Sequence, residues 1–352
     1  MISGGGTGGH IFPALAIGKG LQNKYPDCLI EFVGAKGRME MEKVPEAGFR
    51  IHGLWISGLQ RKLTLQNAMF PLKVLSSLFK SYFILKKFKP NVVIGVGGYA
   101  SGPLLYMASW MKIPTVIQEQ NSFPGITNKL LGKRVNSILT AFDGPEKYLP
   151  ADKITKLGNP VRADILSNDI TKKEALAFFN LNETAPVVLI IGGSLGARTL
   201  NQCLDAGIKK MEENGMQVIW QTGKSYTGNT AVKSGARTVF IKRMDMAYAA
   251  ADIVISRAGA LSLSELCIVG KPCILVPSPN VSEDHQTKNA RTLVDAGAAL
   301  MVSDKEASEK LIDEAIALVK NKNLQAQLSE NIKYLAKPKA TEMIVEQIGK
   351  LL

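Results

Sequence analysis

The chain begins MISGGGTGGHIFPALA, where glycines at 4, 5, 6, 8 and 9 leave the backbone bare and His10 follows directly. Glycine lets a ligand reach the main chain and permits φ > 0. Ile2-Ser3 reads as the tail of a strand, and Pro13 to Gln22 as a helix with apolar Leu15, Ala16 and Leu21. The glycines then form a strand-to-helix loop whose N–H groups suit an anion, usually phosphate. An imidazole beside such a nest is a candidate catalytic group. A second candidate is SRAGALSLSELC (256–267). A helix beginning near Ala260 presents the amides of Ala260, Leu261 and Ser262 to a ligand, and Glu265, a turn further on, is able to accept two hydrogen bonds from a ribose diol. Ser262 and Glu265 also have the S-x-x-E spacing of a capping box, which would keep that carboxylate local. In a third run, GGSLGARTLN (192–201), Ser194 and the amides after it again suit phosphate. Of the three histidines, His10 and His285 (in SEDHQTKN) lie in loops of this kind, and His52 does not.

What the chain lacks narrows the chemistry. Gly4, Gly6 and Gly9 satisfy the dinucleotide fingerprint G-x-G-x-x-G. The second strand, however, ends with Gly34, Lys36 and Arg38 instead of the acid that an NAD ribose requires, so an NADP-dependent oxidoreductase is the dinucleotide reading left. There is no D-x-D to hold a metal on a diphosphate and no P-loop. No metal is therefore expected, and no cofactor outside that dinucleotide reading, so a departing diphosphate would rely on amide dipoles with Arg or Lys. Cys28, Cys203, Cys267 and Cys273 show neither C-x-x-C nor zinc spacing, which fits a reducing cytosol. A net charge of +13 over 352 residues suits an anionic partner such as a phosphorylated metabolite or an acidic membrane surface. No basic block with interleaved aromatics marks a nucleic-acid module.

These loops need strands to carry them. Short apolar runs alternate with helical ones: CLIEFVG, FRIHGLWI, NVVIGVGG, PTVIQEQ and NSILTAF, then PVVLIIGG, MQVIWQTG, TVFI, DIVISRAG, PCILVPS and AALMV. Such a pattern predicts parallel sheets covered on both faces. The length suits about two domains, joined near KLGNPVRADI (156–165), where Gly158 and Pro160 break the periodicity. The uncharged stretch 90–111 is long enough for a membrane span, but Gly95, Gly97, Gly98, Gly102 and Pro103 divide it into strand, loop and helix. In residues 64–90, Leu72, Leu75, Leu78, Phe79 and Tyr82 recur at helical spacing among Lys73, Lys80, Lys86, Lys87 and Lys89. That segment reads either as a helix packed on its sheet or as a helix lying on a membrane surface.

The motifs GGGTGGHIFPALA, GGYASGP, EQNSFPGITNK, GNPVR, GGSLGARTLN, SRAGALSLSE and DHQTKNA stand in the order found in the MurG family of bacterial N-acetylglucosaminyltransferases, which the chain resembles from residue 2 to about residue 300. The resemblance implies an α/β GT-B fold: two Rossmann-like domains whose parallel sheets face each other across a cleft. It implies an N-terminal domain over 1–158 for the lipid-linked acceptor and membrane, a C-terminal domain over 159–336 for UDP-GlcNAc, and a helix over 337–352 returning to the first. The implied reaction transfers GlcNAc from UDP-GlcNAc to the C4 hydroxyl of undecaprenyl-diphospho-MurNAc-pentapeptide (lipid I), with inversion, giving lipid II. For the donor it implies Ser194 at the diphosphate, Ile241 at uracil through its backbone, Glu265 at the ribose, and Ala260, Leu261, Ser262, Leu263, Ser264 and Gln286 at sugar and phosphates. Asn121, Arg162, Thr7, Gly8 and Gly9 complete that set. Gly6, Thr7, Gly8, Gly97, Gly98 and Tyr99 would meet the acceptor diphosphate, and His10 and Glu119 are the candidates for the base. The family often has a histidine before that glutamate, whereas this chain has Gln118.

The same resemblance implies a peripheral protein at the cytoplasmic face of the bacterial membrane, with other cell-wall synthesis proteins as further partners and no nucleic acid. Leu72, Leu75 and Phe79, with Trp110 alongside, would enter the lipid while Lys73 and Lys80 meet headgroups. Another GT-B enzyme, such as a UDP-GlcNAc epimerase, is the alternative within the fold.

Overall fold

The computed structural model describes residues 1–58, 69–166, 169–193, 195–281 and 284–352. They divide into two compact units, Met1–Arg162 with Lys339–Leu352, and Ala163–Pro338.

The first unit is built on β1 (Ile2–Ser3), β2 (Glu31–Ala35), β3 (Arg50–Leu54), β4 (Val93–Gly95), β5 (Thr115–Glu119), β6 (Ser137–Thr140) and β7 (Ile154–Lys156). All pair in parallel in the order β3-β2-β1-β4-β5-β6-β7. The second unit has β8 (Val187–Ile191), β9 (Gln217–Gln221), β10 (Gly235–Thr238), β11 (Ile253–Ser256), β12 (Cys273–Leu275) and β13 (Leu300–Met301), in the parallel order β10-β9-β8-β11-β12-β13. Each order reverses direction once, between β1 and β4 and between β8 and β11. Ligands of doubly wound sheets bind outside the carboxyl ends of the strands at that reversal. The turns following these four strands are Gly4–Thr7, Val96–Ala100, Gly192–Ala197 and Arg257–Gly259, which are the runs that the sequence marks.

The strands are apolar because both faces are covered. In the second unit Val187, Val188, Leu189 and Ile190 of β8 are fully buried, and the Trp220 indole donates from a dry core to Asn201 Oδ1 at 3.1 Å. Three local expectations shift. The first helix starts at Gly8, not near Pro13, and runs to Lys24. Pro13 is tolerated in its second turn, where its missing N–H deprives only the Gly9 carbonyl of an i→i−4 donor. TVFI is not the strand; β10 lies at 235–238, leaving Val239 and Phe240 half-exposed. The edge strand β7 escapes a reading by apolar runs, because Ile154 is its one apolar residue and Thr155 and Lys156 follow it.

The final helix, Ala340–Gly349, belongs to the first unit. Ile344, Val345 and Ile348 are buried with Ile17 and Leu21 of the helix Gly8–Lys24, and Lys24 faces Glu346 at 3.6 Å. Removing most of a buried isoleucine leaves a cavity, so Ile344→Ala is expected to cost about 2–4 kcal/mol, read from urea unfolding of the intact chain. A loss below about 0.5 kcal/mol, the range of surface substitutions, would show that the helix contributes little to this core.

Candidate functional site

In the first unit the turns after β1 and β4 touch. Gly97 and Gly98 both have positive φ, +97° and +88°, which L side chains rarely adopt. A Cβ on Gly98 would strike the Gly5 carbonyl, and one on Gly97 would lie 2.6 Å from His10 Cδ2 and 2.9 Å from Nε2. The imidazole thus lies against bare backbone. Its Nδ1 is 3.2 Å from the Gly5 carbonyl and 3.4 Å from Thr7 Oγ1. A carbonyl only accepts, so the Gly5 contact is a hydrogen bond when Nδ1 carries the proton, which leaves the Nε2 lone pair as the basic position. Thr7 is the N-cap residue, and its carbonyl accepts from His10 N and Ile11 N at 3.1 and 3.2 Å. Gly8 and Gly9 are the first two helical residues, whose amides have no acceptor within their own helix.

Gly6 differs from the expectation. Its N–H donates to Glu40 Oε2 at 2.9 Å, while Ala35 N donates to Oε1 at 3.0 Å. The Gly6 amide is therefore directed inward at a carboxylate that is itself fully buried, and not at an acceptor phosphate. Sequence reasoning missed Glu40. The signal was present, since an acid five residues past β2 lies close to where the dinucleotide reading sought one. Its side chain fills the space between Gly5 and Gly34, so it serves the loop and stands where that reading would place a ribose. Tyr99, half-exposed, lies against Gly58 and near Gly6.

Glu119 ends β5 and is 2% exposed. Asn121 N and Nδ2 donate to its Oε1 at 3.0 and 3.1 Å, and Gly125 N and Asn128 Nδ2 to its Oε2 at 3.0 and 2.8 Å. A carboxylate has about four acceptor positions, and four donors fill them. Glu119 is placed to hold the loop 121–128, a different task from that of the base expected of it. Gln118, in place of the histidine common in the family, joins Gln120 and Asn159 in a buried network: Gln118 Nε2 donates to Asn159 Oδ1 at 3.1 Å, and Asn159 Nδ2 to the Gln120 carbonyl at 3.1 Å. Arg162 lies over the Phe12 ring, 6.0 Å from its centroid.

In the second unit Gly259 is the N-cap of the helix Ala260–Val269, so Ala260, Leu261 and Ser262 form its first turn. Ser262 stands at the third helical position and not at the cap, which excludes the capping box. Glu265 instead accepts from Tyr248 Oη at 3.0 Å, an otherwise buried phenol that orients the carboxylate. Leu263 is corrected: its side chain is fully buried and its N–H bonds the Gly259 carbonyl at 3.0 Å, leaving nothing for a donor. Ser264 Oγ turns back to the Ala260 carbonyl at 3.0 Å. Ile241 N donates to Gln221 Oε1 at 3.0 Å, so of its backbone pair the N–H is already taken. Gln286 accepts from Ser278 N at 2.9 Å, next to the Val276 and Pro277 carbonyls that Arg257 holds at 3.0 and 3.2 Å. Arg257 is paired in turn with Asp304, which also accepts from Thr199. Sequence reasoning gave Arg257, Asp304 and Tyr248 no role. His285 opens its helix just after Asp284. Ser194 lies outside the described residues.

The helix Phe70–Phe88 is inverted relative to a helix packed by its apolar stripe. Ser77, Ser81, Ile84 and Leu85 face inward, while Leu72, Leu75, Phe79 and Phe83 are 50–69% exposed. Leu75 and Phe79, with Leu78, Tyr82, Met107 and the 65%-exposed Trp110, line an apolar groove. Lys73 and Lys80 are not poised over this face; they donate to Ser57 Oγ and to the Gly53 carbonyl at 2.9 and 2.8 Å. Lys86, Lys87 and Lys89 are the exposed cations of this helix end. Residues 64–68 of the expected segment lie outside those described. Among the described residues no helix is long and apolar enough to cross a membrane.

Family models match both units. The Glycosyltransferase family 28 N-terminal domain matches residues 1–140 and the family 28 C-terminal domain residues 187–346. A UDP-N-acetylglucosamine–N-acetylmuramyl-(pentapeptide) pyrophosphoryl-undecaprenol N-acetylglucosamine transferase of Flavobacterium psychrophilum is 53% identical over 100% of this chain and 97% of its own. One of the same name from Cytophaga hutchinsonii is 52% identical over 100% and 96%. The crystal structure of Acinetobacter baumannii MurG superposes with a TM-score of 0.76 at 28% identity, covering 99% of this chain and 98% of that one. Two doubly wound parallel-sheet units matched in this way define a glycosyltransferase of the GT-B type. Within that class the chain belongs to glycosyltransferase family 28 and to its MurG branch.

The carboxylate of Glu119 makes a direct prediction. In Glu119→Gln an NH2 group must oppose two of the four donors, and an unsatisfied buried polar group costs about 1–3 kcal/mol. The melting temperature should fall, and amide exchange should accelerate across 121–128. Unchanged exchange in that loop would remove the positioning role.

Proposed function

We propose that this chain transfers GlcNAc from UDP-GlcNAc to the C4 hydroxyl of undecaprenyl-diphospho-MurNAc-pentapeptide with inversion, giving lipid II for peptidoglycan. One observation carries the mechanism: an imidazole with its Nδ1 anchored on a backbone carbonyl and its ring against Gly97, at the start of a helix whose first amides suit a diphosphate. The acceptor oxygen attacks the anomeric carbon while the bond from that carbon to the UDP oxygen breaks. His10 Nε2 takes the hydroxyl proton, and UDP leaves with the electron pair. In this reading the first unit serves the acceptor through Thr7, Gly8, Gly9, Gly97, Gly98 and Tyr99. The second holds the donor through Glu265 at the ribose, the first-turn amides 260–262 and Ser194 at phosphates and sugar, the Ile241 carbonyl at uracil, and Gln286. Asn121 and Arg162 add to the donor set. Those amide dipoles and Arg162 oppose the charge that develops on departing UDP.

The exposed Leu72, Leu75, Phe79 and Trp110 supply a face for the anionic cytoplasmic leaflet, with Lys86, Lys87 and Lys89 at the headgroups. The lipid acceptor supports this reading, because its polyprenyl chain stays in the membrane while its sugar is used.

Label transfer from UDP-[14C]GlcNAc to a short-chain lipid I analogue tests the reaction; a β1,4-linked product is expected, and tight UDP binding without transfer would overturn the acceptor assignment. His10→Ala should lower kcat by about 10²- to 10⁴-fold, the usual worth of general base catalysis, with donor affinity unchanged. Glu265→Ala removes charged hydrogen bonds worth about 1.5–3 kcal/mol, and should raise the UDP-GlcNAc Kd by roughly 10- to 100-fold, measured by calorimetry. An unaltered Kd would refute the ribose role. Sedimentation with vesicles should increase with anionic lipid and fall in Leu75→Glu; indifference to both would count against the membrane face.

A further inference from the structure

Glu40 and His10 are attached to opposite ends of one peptide bond. The Gly6 N–H donates to Glu40 Oε2 at 2.9 Å, and the carbonyl of the same peptide, that of Gly5, is the 3.2 Å partner of His10 Nδ1. Glu40 is fully buried, and its second oxygen is fixed by Ala35 N at 3.0 Å, at the end of the strand next to β1. The peptide has no freedom to turn. A Cβ on Gly5 would fall inside the Glu40 carboxylate, and one on Gly98 would fall on the Gly5 carbonyl. The two glycines therefore let a carboxylate and a second turn close on the peptide from either side.

We propose that Glu40 is a positioning residue for the transfer reaction, acting on His10 through the Gly5–Gly6 peptide; this rests on the reading of His10 as the base. An acceptor on the N–H end polarises the amide and strengthens its carbonyl as an acceptor, since hydrogen bonds in a chain reinforce one another. A stronger and immobile Gly5 carbonyl selects the imidazole tautomer with the proton on Nδ1. It also fixes the ring plane, so Nε2 presents its lone pair to the acceptor hydroxyl. Glu40 does for this histidine, across one peptide, what a carboxylate in direct contact does in other hydrolytic and transfer sites. The requirement is for two acceptors and no donor, which among side chains only a carboxylate meets. In Glu40→Gln the new NH2 group would oppose one of the two backbone N–H groups, and in Glu40→Asp the carboxylate would fall a methylene short of Gly6.

The test begins with the tautomer, which does not depend on the identity of the substrate. In protein labelled with 15N-histidine, only His10, His52 and His285 contribute signals, and His10→Gln assigns the one required. The wild type should show neutral His10 protonated at Nδ1. In Glu40→Gln that tautomer should lose its dominance, while kcat with UDP-GlcNAc and the lipid I analogue falls by about 10- to 100-fold, as for a catalytic group held about 1 Å out of place. The UDP-GlcNAc KM should stay within about twofold, because Glu40 bonds Gly6 and Ala35 and none of the residues that the proposed function gives to the donor. Glu40→Asp should retain less than half of the wild-type kcat. A wild-type His10 protonated at Nε2 overturns the proposal even if no variant folds. A Glu40→Gln protein with a lower melting temperature but unchanged tautomer and kcat reduces Glu40 to a stabilising role. Absence of transfer by the wild type, with the tautomer as expected, would instead refute the acceptor assignment and leave the Glu40–His10 coupling standing.

Discussion

The turn after β1 meets the turn after β4 backbone to backbone at Gly5 and Gly98, with no room there for a side chain, and the candidate site of the first unit depends on that exclusion. The two strands are neighbours at the point where the sheet order reverses, so their turns emerge side by side and must interlock. Gly98 abuts the Gly5 carbonyl, Gly97 accommodates the His10 ring, and Gly5 accommodates the Glu40 carboxylate. Any Cβ in this set would push the turns apart and take the imidazole with them. The glycines thus serve packing as much as phosphate binding, which explains why so many stand together.

Buried carboxylates and amides do the remaining positioning. Parallel strands end in backbone N–H groups that neither the sheet nor water satisfies, and an unmade buried hydrogen bond is costly. Glu40 answers that demand after β1 and β2, and Glu119 does so after β5, where it fixes the loop 121–128. In the second unit Tyr248 orients Glu265, and the Arg257–Asp304 pair holds the loop on which Gln286 closes. These groups touch the candidate ligand residues from behind, and their role is to make each of those residues point one way.

The helix Phe70–Phe88 follows a different rule. Its inward face includes serines, Ser77 with its hydroxyl on the Trp55 carbonyl at 3.1 Å, and its leucines and phenylalanines face out. Exposing a contiguous row of large apolar side chains is unfavourable in water and is found where another surface covers them. The membrane face proposed above would cover such a row.

The two-unit parallel architecture was legible in the sequence, because short Val- and Ile-rich strands alternating with helices admit few other folds, and glycine runs marked three of the four turns at the sheet reversals, the fourth being marked by the helix start near Ala260. It also placed Glu265 a turn into a helix beginning near Ala260. It left the direction of individual groups open. The apolar spacing of residues 72–83 was legible, but which face turned outward was not, since a stripe looks the same whether it meets a sheet or solvent. Glu119 read as a candidate base and Gly6 as a ligand residue, yet both are bound internally, and Glu40 read as nothing at all. Those outcomes rest on hydrogen bonds between residues as many as 34 positions apart. Periodicity and motif spacing record only what neighbours along the chain require, whereas the partner of a buried polar group is chosen by whichever distant atom the folded sheet brings within about 3 Å.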